Sequence, residues 1–214
     1  MKGSVLVLGA GIAGIQASLD LADSGFKVYL VDKEPSIGGT MPQLDKTFPT
    51  NDCSMCILSP KLVSTGRHTN IEIIGNADVT DFSGVPGDFK VKLLKRPRYV
   101  DPDKCNGCGE CARTCPVRAL DAFNRNLSKK SSISVMYPQA VPLVYSIDRK
   151  SCIGCGLCER MCKRGAIDYS QKPEPVELNV GAVIVATGAS LYDPSATKKY
   201  RYDHPNVITS AEFE

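Results

Sequence analysis

The chain contains no tryptophan, only two histidines, and no apolar run approaching the length of a membrane span. Each shortage excludes something. A transmembrane helix needs about 20 consecutive apolar residues, so no membrane span is expected. Met1 leads almost at once into the strand-like run Ser4–Leu8, which leaves no room for a signal peptide, and the expected location is cytoplasmic. His68 and His204 are isolated and read as surface or packing residues, so no general acid or base is nominated and no catalytic residue is assigned. Charge is nearly balanced at +3 with every cysteine counted neutral, and nothing in it calls for a nucleic-acid partner. The basic stretch Lys92, Lys95, Arg96, Arg98 reads as the solvated face and end of a strand, with docking to an acidic partner as the alternative.

Cysteine, by contrast, is abundant. Ten cysteines in a reducing compartment point to metal or redox chemistry, because structural disulfides do not persist there. Eight of them form two near-copies of one spacing, Cys105-x2-Cys108-x2-Cys111-x3-Cys115-Pro116 and Cys152-x2-Cys155-x2-Cys158-x3-Cys162. This is the ligand run of a two-cluster bacterial ferredoxin, in which the fourth cysteine of each run ligates the other cluster. Cys105, Cys108, Cys111 and Cys162 are therefore expected to hold one 4Fe-4S cube, and Cys152, Cys155, Cys158 and Cys115 the other. Gly107, Gly109, Gly154 and Gly156 lie where the backbone must bend around each cube. Zinc knuckles use paired C-x2-C motifs, not a doubled run of four, and are the weaker reading. Lys163 stands where the first run has Pro116, a departure at a position that is not a ligand.

The first forty residues carry a second signature. The apolar run Ser4–Leu8 is followed by Gly9-Ala10-Gly11-Ile12-Ala13-Gly14, a helix-like stretch to Asp23, and a second apolar run, Val28–Val31, ending at Asp32. Strand, glycine turn, helix, strand and acid is the dinucleotide-binding order, with the pyrophosphate on the helix N-terminus and Asp32 on the ribose. The extension Lys33, Gly38, Gly39, Thr40 and the later strand ending in Ala186-Thr187-Gly188 resemble two-dinucleotide-binding flavoproteins, which favours FAD over NAD. Between them, Ile71–Ile74, Val79–Phe82 and Phe89–Leu94 read as the β-meander of such a domain. The expected fold is thus α/β: a Rossmann-like FAD domain of residues 1–97 and 174–214, interrupted by an α+β two-cluster ferredoxin domain at 98–173. The segment Leu127–Ser146 between the cluster runs is long for a ferredoxin and reads as a surface loop that packs back on something.

Cys53 and Cys56 remain. They read either as two ligands of a third 4Fe-4S cluster shared with a partner, or as a redox dithiol at a helix N-terminus, or as two buried thiols.

Taken together, GAGIAG, DKEPSIGGT, CSMCILSPKLV, the doubled cluster run with YPQAVPLVYSID between its halves, and GAVIVATG resemble the A-type iron-sulfur flavoprotein component of heterodisulfide reductase. The resemblance implies an electron-transfer subunit of an anaerobic redox complex. In it FAD and the clusters exchange electrons, with ferredoxin or another low-potential carrier as partner, and in the family the flavin is proposed to split electron pairs. It also implies other subunits, including one that completes the flavin site, since no second GxGxxG and no later Gly-Asp motif is present; a split-gene product or fragment is the expectation. Alternatives are a cluster-fed dithiol-disulfide reductase using Cys53 and Cys56, and a ferredoxin-like adaptor of an aromatic acyl-CoA reductase complex.

Overall fold

The computed structural model describes residues 2–214. In chain order the main elements are β1 (Ser4–Leu8), α1 (Ile12–Asp23), β2 (Lys27–Val31), α2 (Ser54–Arg67), β3 (Ile71–Ile74), β4 (Ala77–Val85), β5 (Asp88–Lys95), α3 (Glu110–Thr114), β6 (Ile133–Ser134), β7 (Ser146–Ile147), α4 (Leu157–Met161), β8 (Glu174–Val180) and β9 (Ala182–Val185). A parallel four-stranded sheet runs in the order β9-β1-β2-β3, and an antiparallel three-stranded sheet in the order β8-β5-β4.

The β-branched and leucine-rich run of β1 suits a strand covered on both faces. Alternation divides it between two cores. Val5 and Val7 face α1 and α2 with Ile15, Leu58 and Leu62, while Leu6 faces the antiparallel sheet with Val91, Leu93, Leu178 and Val180. Helices, parallel sheet and antiparallel sheet therefore form three layers. Ile71–Ile74 is not part of the meander: it pairs with β2 and extends the parallel sheet, because the fourteen residues of α2 make the crossover that a parallel neighbour requires. The meander proper is the hairpin β4–β5 completed by β8.

The way β5 and β8 pair explains how a ferredoxin segment can sit inside this domain. Lys95 at the end of β5 lies opposite Glu174 at the start of β8. The intervening 96–173 segment thus leaves and returns at neighbouring points, so closing it adds little loop entropy to the host sheet. Within it, α3 and α4 pack together over a third core of Val100, Ile133, Val144, Ile147, Ala166 and Ile167, with Cys111 and Cys158 buried among them. The internal repeat is visible in its hydrogen bonds: Asp101 O accepts from Cys105 N at 3.0 Å and Asp148 O from Cys152 N at 3.0 Å, at the mouth of each cysteine loop.

The segment between the cluster runs is not a surface loop throughout. Tyr137 and Ala140 are buried in the flavin-side core, Tyr137 stacks on Phe123, and the Tyr137 hydroxyl donates to Ile37 O. Ile37 also bridges Val141, and Ser36 Oγ donates to Pro142 O at 3.1 Å. Arg98 likewise departs from the solvated position expected for it. It is half-buried, with its guanidinium donating to Pro35 O and Val144 O, so one side chain ties the loop after β2 to the insert. The other members of the basic stretch are solvated and paired: Lys92 with Asp81, Lys95 with Glu174, Arg96 with Asp78.

Tyr137→Ala removes the aromatic anchor and leaves a cavity between insert and host. The expected loss is about 3 kcal/mol of unfolding free energy, the range for an aromatic-to-alanine change in a core. Anaerobic denaturant unfolding would measure it; a loss below about 1 kcal/mol would mean that the anchor is not a packing element.

Candidate functional site

Gly9 begins the dinucleotide site. Its φ of +99° is open to glycine, its N–H donates to Val31 O at 2.8 Å, and an added Cβ would stand 2.3 Å from Ala186 O. The turn is thus pressed between β2 and the end of β9. Gly14 allows α1 to lie on this turn, since a Cβ there would meet Gly9 O at 1.9 Å. Gly11 is the N-cap of α1 and offers no side-chain cap, which leaves the helix's first N–H groups free for an anion.

Asp32 closes the turn from the other side. Its Oδ2 accepts from Ala10 N at 2.6 Å and its Oδ1 from Glu34 N at 2.9 Å. The carboxylate is therefore first of all a brace for the glycine turn. A carboxylate has about four lone-pair sites, so capacity remains for ribose hydroxyls.

A cleft of about 990 Å³ opens beside these elements, within the range of a ligand site. Gly9, Gly11, Ile12, Ala13, Asp32, Lys33, Gly39, Thr40, Ala186, Thr187 and Gly188 all line it. Gly14 and Gly38 do not. Gly14 lies under the turn, and Gly38, at φ +130°, donates to Ala10 O while packing against Tyr137, whose oxygen would stand 2.5 Å from an added Cβ. Gly39 makes room in the cleft itself, because its Cβ would come within 2.8 Å of Gly11 Cα. A cradle that side chains would fill, with uncapped N–H groups at its base, fits the ADP half of a flavin dinucleotide. Sequence reasoning missed the opposite wall, which comes from the insert: Phe123, Ser134, Met136 and Ser146 face the same cleft. Phe123, Ser134 and Met136 fall in no motif, and Ser146 falls in the segment YPQAVPLVYSID without a role assigned to it.

The cysteine runs lie on the far side of that wall. Cys111 sits within α3 and Cys158 within α4, while Cys115 and Cys162 are the residues that end these helices. Gly109 at φ +84° and Gly156 at φ +71° start the helices in the left-handed region. A cavity is lined by Cys152, Cys155 and Cys158 together with Cys115, the crossed set expected from the spacing, and is closed by Val117, Ile133, Ile147 and Tyr169. Gly154 N donates to Cys152 Sγ at 3.4 Å, and Ala166 N to Cys162 Sγ at 3.3 Å. Burial pushes the Cys111 thiol up to about 12 and also raises that of Cys158. Bound iron reverses this, because a coordinating thiol is deprotonated outright. Among the described residues no three such side chains converge as a single metal ion would require; in a cubane each thiolate binds an iron of its own. A crossed thiolate set around an apolar cavity fits a cluster.

The ribbon β6–β7 separates the two sites. Ile133 pairs with Ile147 and Ser134 with Ser146. By strand alternation the two isoleucines line the cysteine cavity and the two serines line the dinucleotide cleft.

Cys53 and Cys56 lie at the start of α2. Cys53 is its N-cap, and its Sγ accepts from Cys56 N at 3.2 Å. The pair is asymmetric. A hydrogen bond from the Cys56 thiol, helped by the Cys56 N–H, holds Cys53 below the ordinary thiol range, and the same thiol–thiol bond raises Cys56. Cys53 pairs across a short ribbon with Lys46, and the next residue, Thr47, lines the cleft. Cys56 is exposed. Neither is a buried structural thiol.

Two family models match parts of the chain. Residues 98–121 and 145–168 match the 4Fe-4S binding domain family, and residues 4–51 match the FAD dependent oxidoreductase family. The chain is 56% identical over 217 residues to the first of two A-type iron-sulfur subunits of CoB–CoM heterodisulfide reductase from Methanopyrus kandleri, covering all of this chain and 32% of that protein. It is 52% identical over 212 residues to the corresponding A-type protein of Methanocaldococcus jannaschii, covering 99% of this chain and 32% of that protein. The chain thus spans about a third of the length of these curated relatives. Among solved structures, L-proline dehydrogenase from P. horikoshii is similar over 43% of this chain and 19% of its own, with 23% identity and a TM-score of 0.38.

Two outcomes are expected. Gly39→Val fills the cleft beside Gly11 and should weaken flavin binding at least about tenfold, equivalent to about 1.4 kcal/mol, as read by equilibrium dialysis. In cluster-free protein, a lowered Cys53 means thiolate at lower pH. Its alkylation by iodoacetamide should therefore reach half-maximum below the ordinary thiol value of about 8.5, with Cys56 reacting only above it. Peptide mass mapping against pH separates the two.

Proposed function

We propose, from the premise that the chain belongs to the family of A-type heterodisulfide reductase subunits and corresponds to about a third of such a protein, that it is the flavin and iron-sulfur electron-transfer part of an anaerobic redox complex. Residues 1–97 and 174–214 would bind FAD, and residues 98–173 would carry two 4Fe-4S clusters in the crossed arrangement. The flavin supplies two-electron exchange and the clusters one-electron conduction. The chain's own work is to hold them, exclude water and fix their separation.

The observation that carries this reading is the shared ribbon. Ser134 and Ser146 face the dinucleotide cleft while Ile133 and Ile147 face the cavity of Cys115, Cys152, Cys155 and Cys158. One strand layer with its side chains, about 10 Å thick, lies between them. That ribbon would be the wall shared by this cluster and the cleft. An open cleft at the glycine turn also favours a flavin-binding role over that of a ferredoxin-like adaptor.

Relatives carry names that specify CoB–CoM heterodisulfide and ferredoxin. For this chain, ferredoxin or another low-potential carrier is the proposed partner, with division of electron pairs at the flavin as the proposed mode. Val185, at the cleft end of β9, is 70% exposed; another segment or polypeptide would cover this side and complete the flavin site. Cys53 and Cys56, at the surface beside the cleft, would give two ligands to a third cluster shared with that partner. A second reading, a cluster-fed dithiol-disulfide reductase, is favoured by the thiol asymmetry at the α2 N-terminus.

The anaerobically purified complex should contain one FAD per copy of this chain, and the chain itself about eight iron and eight acid-labile sulfide. Zinc without sulfide, or no flavin, would overturn the reading. Replacing Cys53 and Cys56 with serine should remove one cluster from the assembled complex and none from the isolated chain. An unchanged cluster count in the complex with loss of a titratable dithiol would select the reductase instead.

A further inference from the structure

The two cysteine sets look alike in spacing, but the side chains around them differ. Tyr169 lines the cavity of Cys115, Cys152, Cys155 and Cys158, with its hydroxyl 3.0 Å from Cys158 Sγ. Once Cys158 binds iron its sulfur carries no proton, so the phenol must be the donor. The ring is held in place by Arg149, whose guanidinium carbon stands 5.9 Å from the centre of Tyr169 and 5.4 Å from that of Tyr99. A cation is thereby clamped against the ring that bonds Cys158, on residues that precede and follow the ligands of this cluster in sequence.

The first set differs in its bonding: Arg98 stands near Cys105, and Tyr145 near Cys105, Cys108 and Cys111, yet neither side chain bonds a ligand sulfur. Among the described residues no side-chain hydroxyl bonds Cys105, Cys108, Cys111 or Cys162; the donor to that set is the backbone Ala166 N–H on Cys162. The internal repeat shows where the difference arises. Tyr169 lies seven residues after Cys162, and the equivalent place seven residues after Cys115 is Ala122. Tyr145 approaches the first loop, but against Gly109, where its oxygen would stand 3.0 Å from an added Cβ.

Reduction of a cluster adds one negative charge, so a hydrogen bond to a ligand sulfur and a nearby cation both stabilise the reduced form and raise its potential. We propose that Tyr169, braced by Arg149, sets that potential and makes the cluster of Cys115, Cys152, Cys155 and Cys158 the higher-potential member of the pair. An electron reaching the pair therefore rests next to the cleft-facing ribbon and passes uphill to the other cluster. Tyr169 is a positioning and tuning residue here, not a catalytic one, and the assignment rests on the cluster reading of these cysteines.

The test is a redox titration of anaerobically purified protein followed by electron paramagnetic resonance, with iron and sulfide counted first. Tyr169→Phe keeps the ring and its stacking but removes the O–H. It should lower one midpoint by about 59 mV, a tenfold change in a one-electron equilibrium, and leave the other unmoved. Arg149→Gln, which does not touch Cys158, should lower the same midpoint, so the result does not hang on one variant. Cys158→Ser identifies which signal belongs to this cluster. Both midpoints unmoved in Tyr169→Phe, or both moved equally, would overturn the proposal with the cluster reading intact; wild-type protein without two sulfide-containing clusters would overturn both.

Discussion

The rest of the structure depends on the contact by which the insert grips the loop after β2. A ferredoxin domain and a dinucleotide domain joined only through Lys95 and Glu174 could hinge about that pair of strand ends. Instead Ile37 pairs with Val141, the Tyr137 hydroxyl donates back to Ile37, and Arg98 bonds both Pro35 and Val144. These contacts fall on the stretch that also supplies Lys33, Gly39 and Thr40 to the cleft. Electron transfer falls off steeply with separation, so a pair of redox sites needs a wall between them that does not flex. Here the wall and the anchor belong to the same segment, 127–146.

Such a wall must also reconcile two opposite solvent demands. The cysteine cavity is largely apolar, and burial there raises the Cys158 thiol, which disfavours free thiolate. A cluster with four thiolates carries about −2 and needs donors close by. Gly154 N–H and Ala166 N–H, turned inward by the glycine-rich loops, meet part of that need with backbone dipoles, which cost no side-chain entropy. The dinucleotide cleft is the reverse case. There the anion would be a pyrophosphate, and the N-terminus of α1, uncapped by any side chain, would take the place of the donors.

How much of this the sequence discloses depends on whether a residue type is irreplaceable at its position. Gly9, Gly14 and Gly39 are legible because an added Cβ would meet neighbouring atoms at under 3 Å, and the cysteine spacing is legible because a cube permits few alternatives. The parallel sheet is legible in β1 and β2, but Ile71–Ile74 looks the same whether it joins that sheet or the meander; only the crossover length of α2 decides. The roles of Tyr137, Phe123 and Arg98 are not legible in the sequence: Tyr137 falls in the family-like segment YPQAVPLVYSID, which gives it no role, and Arg98 reads as solvated. An aromatic in a linker and an arginine after a basic strand are ordinary surface residues until a partner surface 60 to 100 positions away is brought against them. Gly38 is the intermediate case, recognised as part of a flavin motif yet turned toward Tyr137.

The ribbon β6–β7 carries the same lesson to the level of function. It is two residues long on each strand, and its register places Ile133 opposite Ile147 and Ser134 opposite Ser146. A slip by one residue would turn the ribbon's two serines toward the cluster cavity, adding to Ser132 and Tyr169 there, and its two isoleucines toward the cleft, which would lose its polar wall. The register has little hydrogen bonding of its own to hold it. The adjoining pair of the same ladder, with Asp148 N donating to Ser132 O, extends it, and Ile147 N donating to Arg98 O holds it from outside. Arg98 is the residue whose guanidinium reaches the host domain. A single arginine therefore couples the ribbon's register, the insert's seating and the loop beside Asp32. That coupling is the physical reason the two redox sites are better regarded as one structural unit than as two domains in sequence.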